Sequence, residues 1–65
     1  MKIKDIKPLF WNTERLTLFE NNKIVFSKSF KYLNKKFLDR EIEAIYTVEV
    51  MYGICINLKS EIKGQ

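Results

Sequence analysis

The chain has 65 residues, 46% of them hydrophobic and 14% aromatic, with twelve Lys and Arg against eight Asp and Glu. This apolar content exceeds that of disordered segments and predicts one small packed domain, in which folding hides only about 60% of the unfolded chain's surface. Cys55 is the single cysteine and histidine is absent, which excludes an internal disulfide, a four-ligand zinc site of the usual kind and any imidazole base.

The N-terminal stretch places Ile3, Ile6, Leu9 and Phe10 at helical spacing, with Pro8 obliged to fall in a first turn or to end the helix. It holds no apolar run long enough for a signal-peptide core or a membrane span, so a cytoplasmic protein is expected. Residues 14–20 alternate, with Leu16 and Leu18 on one face and Arg15, Thr17 and Phe19 on the other. Asn21 and Asn22 follow, a residue type that tolerates the positive φ of a tight hairpin, and residues 23–28 return with Ile24 and Phe26 inward.

In residues 30–37, Phe30, Leu33 and Phe37 recur at i, i+3 and i+7 behind Ser29 as an N-cap. This predicts a short amphipathic helix with Lys31, Lys35 and Lys36 on its wet side. Asp39-Arg40-Glu41 reads as a turn device, Asp39 accepting local backbone N–H bonds and Arg40 pairing with a carboxylate across the sheet; a recognition loop is the other reading. Residues 41–50 carry the strongest alternation, with Ile42, Ala44, Tyr46, Val48 and Val50 on one face and Glu41, Glu43, Thr47 and Glu49 on the other. Met51-Tyr52-Gly53 predicts a turn, and residues 54–58 a return strand with Ile54, Ile56 and Leu58 inward and Cys55 outward.

These elements predict a single α+β domain over residues 1–65, a four-stranded antiparallel sheet in meander order with one or two short helices on one face. The expected core is Leu16, Leu18, Ile24, Phe26, Phe30, Leu33, Phe37, Ile42, Ala44, Tyr46, Val48, Ile54, Ile56 and Leu58. Phe19, Val25, Ile45 and Cys55 fall on the outer face, an apolar set that predicts a homodimer.

Nothing in the sequence supplies a catalytic constellation. Glu41 and Glu43 share a solvated strand face, with no burial to make one an acid and the other a base. Gly53 and Gly64 stand alone, so no phosphate-cradling loop is present. An enzyme is therefore not expected, nor a cofactor. Charge, by contrast, is lopsided: residues 23–40 hold six basic residues and one acid, a balance of +5, whereas the rest of the chain holds six and seven, a balance of −1. Lys28, Lys31, Lys35, Lys36 and Arg40 are the candidate partner-binding residues, with Trp11, Phe19 and Tyr32 as nearby rings that could stack on bases. The alternatives are a merely solvated helix face and weakly sequence-selective nucleic-acid binding. Lysine outnumbers arginine ten to two, which favours diffuse attraction over bidentate base reading.

The segments "NNKIVFSKSF" at 21–30, "FLDREIEAI" at 37–45 and "ICINL" at 54–58 resemble a group of small uncharacterised proteins encoded by Firmicutes phages and integrative elements. In that group a "VVFEGK" strand leads through a linker into "LLDREVxSI" and a final "VIVIEL" strand. The chain departs from the pattern in its lysine-rich linker, which carries no proline, and in Val50-Met51-Tyr52-Gly53, which replaces an acidic turn. The resemblance implies a mobile-element setting rather than a reaction. Such elements encode small proteins that block host functions, CRISPR nucleases among them, so the partner it implies is a host protein or nucleoprotein.

Overall fold

A computed structural model describes residues 1–48 and 51–60. The element order is a helix α1 (Ile3–Ile6), strands β1 (Arg15–Glu20) and β2 (Lys23–Ser29), and strands β3 (Ile42–Val48) and β4 (Met51–Leu58). Three short 3₁₀ turns complete it, Lys7–Leu9 after α1 and Phe30–Tyr32 and Lys35–Phe37 between β2 and β3. No helix among the described residues is long and apolar enough to cross a membrane.

The α+β class is as predicted, but the sheet is mixed and not a meander. Its order is β2-β1-β4-β3, with both hairpins antiparallel and β1 parallel to β4. The physical reason lies in where the apolar side chains are. A meander would leave β1 and β4 at the edges, whereas the parallel pairing sets Leu16 beside Ile54 and Leu18 beside Ile56 at the centre. Leu16, Leu18 and Ile56 lose all contact with solvent there, a gain of about 1.5–3 kcal/mol each. Thr17 and Cys55, paired on the outward face, are buried as well.

The first hairpin turns at Asn21 and Asn22, with φ of 53° and 65°, as their chemistry predicts. Beyond the turn the strand departs from simple alternation. A bulge between Leu18 and Phe19 leaves Leu18 opposite Phe26 but Phe19 opposite Ile24. The extra residue on β2 turns Ile24 off the core face, and it is 56% exposed instead of inward. A similar irregularity between Ile42 and Ala44 corrects the long strand. Ile42 stays opposite Leu58 and packs on the core, but Ala44 and Tyr46 pair with Asn57 and Cys55 on the outward face, and Ile45 pairs with Ile56. Ala44 and Tyr46 are exposed, not core, and Glu43 is the additional residue that moves them. Glu49 and Val50, assigned to opposite faces, lie outside the described residues.

Gly53 is not a turn residue but part of β4, at φ 119°, where a Cβ would overlap the carbonyl oxygen of Arg15 on the neighbouring strand. Of the outer apolar set, Cys55 is buried and Phe19 half-buried, whereas Val25 and Ile45 are exposed, Ile45 opposite Ile56 and Val25 beside Phe37 and Arg40.

One layer covers the sheet. Ile3 and Ile6 of α1 join Phe30 and Phe37 over Leu16, Leu18, Ile54, Ile56 and Leu58, with Phe10, Phe26, Leu33 and Leu38 packed around them. Asp5 accepts a bond from the Lys2 N–H at 2.9 Å and so caps α1. The helix ends before Pro8, which sits in the first turn of the following 3₁₀ segment. Leu9 consequently turns outward and is 74% exposed, whereas Phe10 stacks on Phe30 with ring centroids 5.5 Å apart.

Candidate anionic-partner interface

Residues 30–41 cross the molecule from one edge strand to the other, and no α-helix forms in them. Leu33 adopts φ −63° and ψ 125°, an extended conformation that separates two single turns. Asn34 then starts the second turn, its Oδ1 accepting from the Lys36 N–H at 3.0 Å. An eight-residue helix is too short to hold itself against such a local competitor. Ser29 stands at the head of the first turn but makes no side-chain cap bond. The facing of the side chains survives the loss of the helix. Phe30 and Phe37 are buried and Leu33 is half-buried, while Lys31, Lys35 and Lys36 are exposed.

Lys28 is exposed near the end of edge strand β2, and the other three lysines follow it along the connection. The Lys31 ammonium lies 5.1 Å from the Tyr32 ring centroid, and that of Lys36 lies 5.2 Å from Phe37. Each ammonium thus makes a cation–π contact with the ring of the next residue while its own residue stays exposed. None of the four is ion-paired with a described residue.

Arg40 is placed differently. Its Nη2 donates to Glu20 Oε2 at 2.7 Å and to the Lys59 carbonyl at 3.0 Å, and its Nη1 donates to Glu20 Oε1 at 3.4 Å. Arg40 and Glu20 side chains retain only 13% and 25% of their exposure. The pairing with a carboxylate across the sheet is as the sequence predicts, and it commits the guanidinium to the fold. Asp39 departs from prediction: its carboxylate meets the Lys4 ammonium at 3.2 Å rather than capping local backbone. Glu41 meets the N-terminal ammonium at 3.2 Å. Backbone bonds from Ile3 to Arg40, Lys4 to Leu38, Ile42 to Met1 and Lys59 to Glu41 bind the same segment to α1 and the end of β4.

The segments that carry two of the predicted rings are joined by backbone bonds. The Lys31 N–H donates to the Asn12 carbonyl at 3.1 Å and the Phe30 N–H to the Glu14 carbonyl at 2.9 Å, so the loop carrying Trp11 adjoins the turn carrying Tyr32. Trp11 is 78% and Tyr32 60% exposed. Phe19 is half-buried on β1 and is not part of this corner. Leu9, at helical spacing with Ile3 and Ile6 in the sequence, is exposed beyond the helix, which ends before Pro8.

Among the described residues, no three His, Cys, Asp or Glu side chains gather as a metal site would require. In comparisons with known proteins, no family model, curated protein or solved structure matches the chain.

Proposed function

We propose that the chain is a small non-enzymatic binding protein of phage or mobile-element type that acts on a host protein or nucleoprotein, in its sharpest form as an inhibitor of a CRISPR nuclease. The mobile-element setting is supported by the likeness of residues 21–30, 37–45 and 54–58 described above. The observation that carries the binding reading is the sorting of charge along the connection between β2 and β3. Lys28, Lys31, Lys35 and Lys36 are exposed and unpaired among the described residues, whereas Arg40 is taken up by Glu20. Four uncompensated cations on backbone pinned from beneath by Phe30 and Phe37 form a surface suited to an anionic partner. Mimicry of DNA needs an acidic surface, so an acidic protein face or the backbone of a guide RNA is the better fit.

Pull-down from a host lysate tests this directly. The wild-type chain captures a defined partner, and Lys31→Glu with Lys35→Glu ends the capture while the melting curve stays unchanged. Capture that survives this charge reversal contradicts the proposal. Loss of cleavage when the chain is added to a purified CRISPR nuclease would identify the inhibitor form.

A further inference from the structure

We infer that Trp11 and Tyr32 form a stacking platform for single-stranded nucleic acid, with Lys28, Lys31, Lys35 and Lys36 holding its phosphates. The inference rests on the reading of the lysine surface as a contact for an anionic partner and names the chemistry of that partner. Both rings are large, mostly exposed and mounted on backbone that is tied down. Trp11 and Asn12 are held by bonds from the Glu14 and Lys31 N–H groups to their carbonyls, and Phe10 and Phe30, the residues beside the two rings' turns, are stacked on each other. Exposed rings on fixed backbone offer π-faces to bases with little ordering cost, and stacking accepts any base; at Tyr32 the Lys31 ammonium lies over one face, so a base takes the other.

Charge points the same way. Residues 21–38 contain five lysines and no acid. Of the acids that border this stretch, Glu20 is neutralised by Arg40 and Asp39 faces Lys4. Glu14 is the one acid between residues 6 and 19, against Lys7 and Arg15. Lysines act as point charges that suit a flexible phosphate backbone more than the edges of paired bases. A single strand can lay its phosphates along the connection and turn its bases onto the two rings, which a duplex with its bases already stacked cannot do.

Trp11 is the only tryptophan and therefore reports its own occupancy. Titration with short oligouridine or oligothymidine at low salt is expected to quench its emission saturably. Single strands lose about 0.7 per phosphate contact in the slope of log affinity against log salt, so four lysines give a slope of roughly −3. Tyr32→Ala is expected to weaken binding roughly tenfold without shifting the melting curve, and a blunt duplex of equal length to quench less than either single strand. Absence of quenching at low salt, or quenching that Tyr32→Ala leaves unchanged, overturns the inference. A host protein captured after nuclease treatment, with Trp11 unquenched by oligonucleotides, means that the surface docks protein: the platform fails and the binding function stands. If Lys31→Glu with Lys35→Glu alters neither capture nor quenching, the lysine surface itself is misassigned.

Discussion

The two halves of the connection between β2 and β3 use charge in opposite ways. In residues 39–41 every ionic side chain has a partner: Asp39 has Lys4, Arg40 has Glu20 and Glu41 has the N-terminus. In residues 28–36 no lysine has one among the described residues, and the structural contribution comes from Phe30 underneath and Phe37 just beyond. The first half ties α1, β1 and the end of β4 together through charge and backbone bonds. The lysine-rich half is held by apolar burial and by hydrogen bonds such as those from the Phe30 and Lys31 N–H groups to the Glu14 and Asn12 carbonyls, with no ion pair among the described residues. Formal charge in a sequence thus does not distinguish a clasp from a contact surface; the presence of an opposing group within reach does.

The largest effect should come from the apolar underside of the lysine-rich half. Phe30 is 1% exposed, and Phe30→Ala is expected to cost about 3–5 kcal/mol. A core of this size rarely supplies more than that, so the variant should be largely unfolded at 25 °C by circular dichroism. A native melting curve would show that this half is not anchored where the stacking with Phe10 puts it. Next comes the clasp. Removing one partner of a largely desolvated pair leaves the other uncompensated, so Glu20→Ala and Arg40→Ala should each cost about 2–3 kcal/mol. The double variant should cost much less than their sum, and additive losses in urea denaturation would show that the two groups act independently. Smaller still are the exposed pairs, for which Asp39→Ala and Glu41→Ala should each shift stability by under about 1 kcal/mol, most visibly at low salt. A loss as large as that of Arg40→Ala would place either carboxylate in a more enclosed pair.

Which parts of this were legible in the sequence follows from what each signal encodes. The Asn21-Asn22 turn was readable because few residues other than glycine accept two successive positive φ angles. The burial of Phe30, Leu33 and Phe37 was readable from their spacing, although the helix was not formed, since two short turns separated by an extended residue present the same side chains. Alternation, on the other hand, counts through a bulge without registering it. Glu43 and the step between Ile24 and Val25 carry no compositional mark, and one extra residue at each reversed the facing of Ile24, Ala44 and Tyr46. Strand order was also hidden, because a periodic pattern states which face is apolar and not which strand lies beside it. Parallel pairing of β1 and β4 had one trace in the sequence: Thr17 and Cys55 are small side chains on the outward face, and between flanking strands they are buried. Of the candidate binding residues, the four lysines lie in solvent as expected, and Arg40 was recognisable as an ion-pair residue without its partner being nameable.

The division of the connection into clasp and contact surface is tested most directly by urea denaturation of two variants side by side. Arg40→Ala is expected to lower the midpoint clearly, whereas the triple variant Lys31→Ala, Lys35→Ala and Lys36→Ala, which removes three times the charge, should leave stability within about 0.5 kcal/mol per site of the wild type. A triple variant that unfolds earlier than Arg40→Ala would contradict that division, by showing that the lysines hold the fold and are not free for a partner.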